Sequence, residues 1–167
     1  MKNYSQLFAF LFLLFAFSCT KPPDYSDTPV IEFISLSKPS MLQGTAFEDT
    51  IWVTIGFTDG DGDIGLEETT DKQLTIIDTH FNSITEDNIK QISVPFVPEQ
   101  GAGNGISGTI SIATFPNCCV YPSPGPSPCT PSTQYPTDSL VYEIFMTDRA
   151  GNESNHILTD PIILLCQ

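Results

Sequence analysis

Ile51-Trp-Val-Thr-Ile-Gly-Phe-Thr58, running straight into Asp59-Gly-Asp-Gly-Asp-Ile-Gly65, is the stretch that decides the fold. Ile51, Val53, Ile55 and Phe57 alternate with Trp52, Thr54, Gly56 and Thr58. Successive side chains on an extended chain point to opposite faces, so this period of two predicts a strand with one buried face. Trp52 has the opposite parity and is expected to face outward. An exposed indole there is a candidate platform for a protein partner or a sugar ring.

Working outward from this strand, almost every ordered stretch reads the same way. Val30–Ser37 precedes it, and Leu74–Asp78, Gln91–Val97, Ile106–Ala113, Leu140–Met146 and His156–Leu165 follow, with turn residues between them. Pro161 marks an edge or a bulge in the last of these. No window carries helical periodicity. About seven strands separated by turn signals predict an all-β fold, a single antiparallel two-sheet sandwich over residues 29–167. Tyr142-Glu-Ile-Phe-Met-Thr-Asp-Arg-Ala-Gly-Asn152-Glu-Ser154 resembles the penultimate strand and last turn of bacterial immunoglobulin-like and fibronectin-III-like domains. The resemblance spans the domain in strand order and these dozen residues in motif. The antibody-type Cys…Trp…Cys core is absent, since Trp52 sits in the second strand and no cysteine does. A fold of this kind implies no particular activity.

Antiparallel order sends the connections after the second, fourth and sixth strands to one pole. Asp59, Asp61 and Asp63 lie there, with Asp148 and Asn152 in the last turn and Glu67 and Glu68 close by in sequence. Carboxylates at every second residue, spaced by glycines, can curl around a hard cation such as calcium, which takes six to eight oxygens. The loop is not an EF-hand: Ile64 stands where that loop needs glycine, and Thr70 where it needs glutamate. Asp-Gly pairs are also ordinary turn formers, so the alternative is a solvated turn.

The opposite pole receives the connection Pro116–Thr137. It holds seven prolines, Cys118, Cys119 and Cys129, and Tyr121 and Tyr135. A loop this long needs ordering from elsewhere. The last strand ends at the same pole, which brings Cys166 to it. The expected disulfides join Cys118 or Cys119 to Cys166, and the other of the two to Cys129. Such a stapled loop would present Tyr121 and Tyr135 to a partner at little entropic cost. His80 and His156 read as surface residues near strand ends.

The amino terminus completes the organisation. Lys2 is followed by the apolar run Leu7–Phe17 and then Ala16-Phe17-Ser18-Cys19, a run too short to span a bilayer. The pattern resembles the lipobox of bacterial lipoproteins, with Phe17 bulkier than the usual residue there. It implies a cleaved signal peptide over 1–18, acylation of Cys19, and a lipid-anchored linker over 19–28. The implied location is the bacterial cell envelope, at the outer membrane or cell surface.

The chain carries 20 acidic residues against 6 basic ones, a net charge of −14. Such a balance repels phosphate backbones and excludes a nucleic-acid partner. No glycine-flanked serine elbow or histidine-rich metal motif is present, so no catalytic residue is assigned and no enzyme is expected. The expected function is a lipid-anchored, adhesion-type binding or spacer module with an envelope or extracellular protein as partner. The alternative is a glycan-binding accessory lipoprotein of an uptake or degradation system.

Overall fold

The computed structural model describes residues 24–45, 49–65, 72–81, 88–98 and 105–167. The expected signal peptide, Cys19, Glu67 and Glu68 lie outside the described residues. The described chain is all-β, with strands β1 (Val30–Leu36), β2 (Ser40–Leu42), β3 (Ile51–Asp59), β4 (Leu74–Asp78), β5 (Ile89–Ile92), β6 (Ile106–Thr114), β7 (Thr137–Leu140), β8 (Tyr142–Met146), β9 (Ile157–Leu158) and β10 (Ile162–Leu165). They form three sheets, ordered β1-β3-β6, β5-β4-β8-β9 and β2-β10-β7. This arrangement is compatible with a β-sandwich.

Alternation builds the core. Ile51, Val53 and Ile55 of β3 are fully buried, while Trp52 between them is 50% exposed. Leu74 and Ile76 of β4, Ile106 and Ile112 of β6, and Tyr142, Ile144 and Met146 of β8 join them in one apolar cluster. Each large aliphatic side chain so buried contributes roughly 1.5–3 kcal/mol of transfer free energy. The two larger sheets are tied along both flanks. Asn155, just before β9, exchanges hydrogen bonds with the Ile31 main chain of β1 (2.8 and 2.9 Å). Lys90 of β5 donates to the Ala113 carbonyl of β6 at 2.9 Å.

The expectation of two sheets and about seven strands is corrected to three sheets and ten strands, and local chemistry supplies the reason. Pro39 follows β1 and turns the chain away from β3, and β2 then runs parallel to β10. The predicted sixth strand, Leu140–Met146, is corrected to β8 (Tyr142–Met146), since Leu140 ends a separate strand that starts at Thr137. Between them the Val141 carbonyl accepts from the Thr79 amide (3.1 Å) and hydroxyl (2.8 Å) instead of from a neighbouring strand. The predicted seventh splits at Thr159–Pro161. There the Thr159 hydroxyl takes the Tyr142 amide (3.1 Å), and Pro161 has no N–H to offer. β7, most of which precedes the predicted sixth strand, and β10, the second half of the predicted seventh, form the third sheet with β2.

The predicted strand Gln91–Val97 is likewise corrected to Ile89–Ile92. Beyond it Pro95 cannot donate, and the Val97 amide bonds the Ile64 carbonyl at 3.1 Å. That tail packs on the acidic loop rather than on the sheet.

Candidate functional site

Asp59 occupies the last inward position of β3, on the same parity as Ile51, Val53 and Ile55. Its carboxylate is therefore carried into the mouth of the core and is fully buried. The chain then curls through Gly62 and Gly65, both at positive φ (73° and 81°), a conformation that favours glycine. This curl returns Asp63 to Asp59, and the Asp63 amide donates to Asp59 Oδ2 at 2.8 Å. Ile64, fully buried, plugs the loop into the core beneath.

Asp148 comes from the turn after β8 and is 4% exposed. The Asn152 amide (2.7 Å) and side-chain Nδ2 (2.8 Å) both donate to it. The Ala150 amide crosses to Asp63 Oδ2 at 2.9 Å, and the Arg149 amide to the Asp63 carbonyl at 3.2 Å. Arg149 fastens the same region from above. Its Nη1 donates to the carbonyls of Ile64, Gly65 and Val97 (3.3, 3.1 and 3.4 Å), and its guanidinium lies over the Phe96 ring.

One carboxylate oxygen from each of Asp59, Asp63 and Asp148 lies within 4.8 Å of the others. Two ligands about 2.4 Å from a shared cation stand no more than about 4.8 Å apart, so the spacing suits calcium. Asp59 Oδ1 and Asp63 Oδ1 are buried without a hydrogen-bond partner. Burial pushes Asp59 up to about 6, and the neighbouring Asp61, Asp63 and Asp148 add to it against the opposing Asp63 amide. Burial also raises Asp63, reinforced by Asp148 and Asp61 and opposed by the Ala150 amide and Arg149. Carboxylates that resist ionisation and each keep one buried oxygen without a donor, as Asp59 and Asp63 do, form a site that a cation would satisfy.

Of the four carboxylates expected here, Asp59, Asp63 and Asp148 converge, and Asn152 sits against Asp148. Asp61 is exposed and outside the triad. Asn152 spends its side-chain amide on Asp148 and acts as the turn's cap. The leading segment also meets this loop: the Gly60 amide donates to the Ser26 carbonyl at 2.7 Å. A side chain at Gly60 would collide with the Tyr25 and Ser26 main chain, which explains the glycine.

At the other end of β3, disulfides join Cys119 to Cys166 and Cys118 to Cys129. Cys119 and Cys166 are both fully buried and belong to the core. Tyr121 donates to the Thr130 carbonyl at 2.6 Å, and its ring stands 5.9 Å from that of Tyr135 with a 39° tilt. The two rings are neighbours but not one flat surface.

His80 is a correction. It is not a surface residue: its side chain is 2% exposed, with Nε2 2.8 Å from Asp138 Oδ2. Asp138 also accepts the Val120 amide at 2.7 Å, so it links the stapled loop to the turn after β4. Its partners lie 58 and 18 residues away, and no local sequence signal marks them. His156 does lie at the surface, between Glu143 and Glu153 (2.7 and 3.2 Å) and stacked on Phe145.

No protein-family profile, curated protein or solved structure matches this chain.

Proposed function

We propose that this chain is a lipid-anchored module of the bacterial cell envelope that binds or spaces a protein partner. In this reading it is an immunoglobulin-like or fibronectin-III-like sandwich whose acidic pole is stiffened by calcium. The observation that carries it is the meeting of Asp59, Asp63 and Asp148, drawn from two loops, with two buried carboxylate oxygens lacking donors. A cation held there ties the turn after β8 to the loop after β3, beside the entering segment at Ser26. The stapled loop at the far end, bearing Tyr121 and Tyr135, is the surface offered to the partner.

Thermal unfolding of the oxidised chain in calcium and then in excess chelator tests the reading. Calcium at a hundred times its dissociation constant adds about 2.7 kcal/mol, several degrees of Tm. An equal Tm in calcium and chelator would remove the cation from the proposal.

A glycan-binding role is the second reading, favoured by the half-exposed Trp52 on a face it shares with Thr54, Thr58, Thr109 and Ser111, and with Val30, Glu32 and Ile34 from β1. Quenching of Trp52 fluorescence by soluble oligosaccharides would support it, and an unchanged spectrum would remove it.

A further inference from the structure

We propose that β6 is a docking edge for a second copy of this chain, joining two β1-β3-β6 sheets into one six-stranded sheet about a two-fold axis at Ile110. The direction of the main chain along β3 leads to this. Trp52 accepts the Ser37 amide at 2.9 Å and the Gly60 amide reaches Ser26, so even-numbered residues of β3 turn their main chain toward the β1 side. Odd-numbered residues, Ile51 to Asp59, therefore bond β6 at their register partners Thr114, Ile112, Ile110, Gly108 and Ile106. Ser107, Thr109, Ser111 and Ala113 are left with N–H and C=O groups pointing away from β3. The bond from Lys90 to the Ala113 carbonyl agrees with that polarity. Among the described residues, this carbonyl is the one outward main-chain group of β6 with a protein partner.

A long bare edge is a pairing template, and proteins ordinarily shorten, charge or cover such edges. The other edges here follow that rule. Asn155 caps β1 at Ile31, β9 has two residues, and β2 has three and follows Pro39. β5 has four residues including Lys90, and β7 has four including Asp138 and follows Pro136. β6 runs for nine residues with no charge and no proline.

The occupant is argued from charge and from register. In a chain of net charge −14, two copies repel over most of their surface. β6 and the adjoining outward residues Trp52, Thr54, Gly56 and Thr58 carry no ionisable side chain of their own. The nearest charges are Glu32, lying over Gly56 one strand in from the edge, and the Lys90 ammonium at Ala113, so two copies meet there with little of that penalty. Antiparallel self-pairing about Ile110 sets Thr109 against Ser111 of the second copy at the centre, and Ser107 against Ala113 at the ends, where the Ala113 carbonyl is shared with Lys90. Small and hydroxyl side chains then share the outer face while the isoleucines share the inner one. A two-fold axis makes the contact self-complementary and closed. This interface is independent of the cation site.

Sedimentation of the full oxidised chain in detergent solution, over a wide concentration range, is the test. The expected result is a reversible dimer, lost in Thr109→Pro with far-UV circular dichroism and Tm unchanged. Proline is tolerated at 109 because that N–H is not bonded to β3. Should Thr109→Pro fold poorly, Thr109→Lys with Ser111→Lys keeps the backbone and sets like charges opposite one another, with the same expected loss. A wild type that stays monomeric, even if it captures a foreign extended peptide, overturns the proposal. So does a dimer that survives either well-folded variant.

Discussion

At one end of β3, Asp59, Asp63 and Asp148 bring together carboxylates that repel one another, in loops held by hydrogen bonds. At the other end, Cys119–Cys166 and Cys118–Cys129 hold theirs covalently, with the buried His80–Asp138 contact beneath. Nine residues of one strand separate a cluster of carboxylates from a pair of disulfides, so under the proposed function one end would answer to cations and the other to redox state. On that reading, the rigidity of one end would change without disturbing the other.

Removing the covalent staple should have the largest effect. Cys119→Ser with Cys166→Ser opens a link across 47 residues. The expected loss is about 4 kcal/mol in chemical denaturation, against about 3 kcal/mol for the bridge across 11 residues. Equal and small losses would show that the prolines, rather than the bridges, order that end.

Next comes the cation. Asp148→Asn should abolish the calcium-induced rise in Tm while leaving the stapled end unchanged, read as unaltered protection of the Cys119 amide from hydrogen exchange. A calcium response that persists in the variant would place the ion elsewhere.

The third test uses pH. Asp59 sits near 6 in the fold against 3.8 in its ordinary state, so its ionisation opposes folding. That penalty is fully present above about 6 and vanishes as pH falls below about 3.8. In chelator, this group should make the chain more stable by on the order of 2 kcal/mol between pH 7 and 4. Asp59→Asn should flatten that rise, and a wild-type profile that falls over the same range would contradict the assignment. Trp52→Ala, outward on β3, should have the smallest effect, within about 0.5 kcal/mol of wild type. A larger loss would mean that the outer face is covered by something.

The strand that places both ends was legible because parity is local. Ile51, Val53 and Ile55 declare their face, and the same parity carries Asp59 inward. What escaped reading depended on partners remote in sequence. The break at Val141 comes from Thr79, and the partner that His80 meets is Asp138. The additional sheet exists because β2 finds β10 more than a hundred residues later. Asp61 and Asn152 fit the pattern of ligands by residue type. Turn geometry sets Asp61 apart, exposed and outside the converging triad, while Asn152 lies beside the triad with its side-chain nitrogen on Asp148.

The entry of the leading segment beside the acidic loop has a mechanical consequence. β1 begins at Val30, opposite Thr58, and runs away from that end through six register pairs with β3. If the chain is held by its leading segment and loaded from the stapled end, the load runs lengthwise along β1. Its bonds to β3 must then slide together in shear rather than break in succession. The Ser26–Gly60 bond is the first to feel the strain, and it lies next to the loop that a cation would tighten.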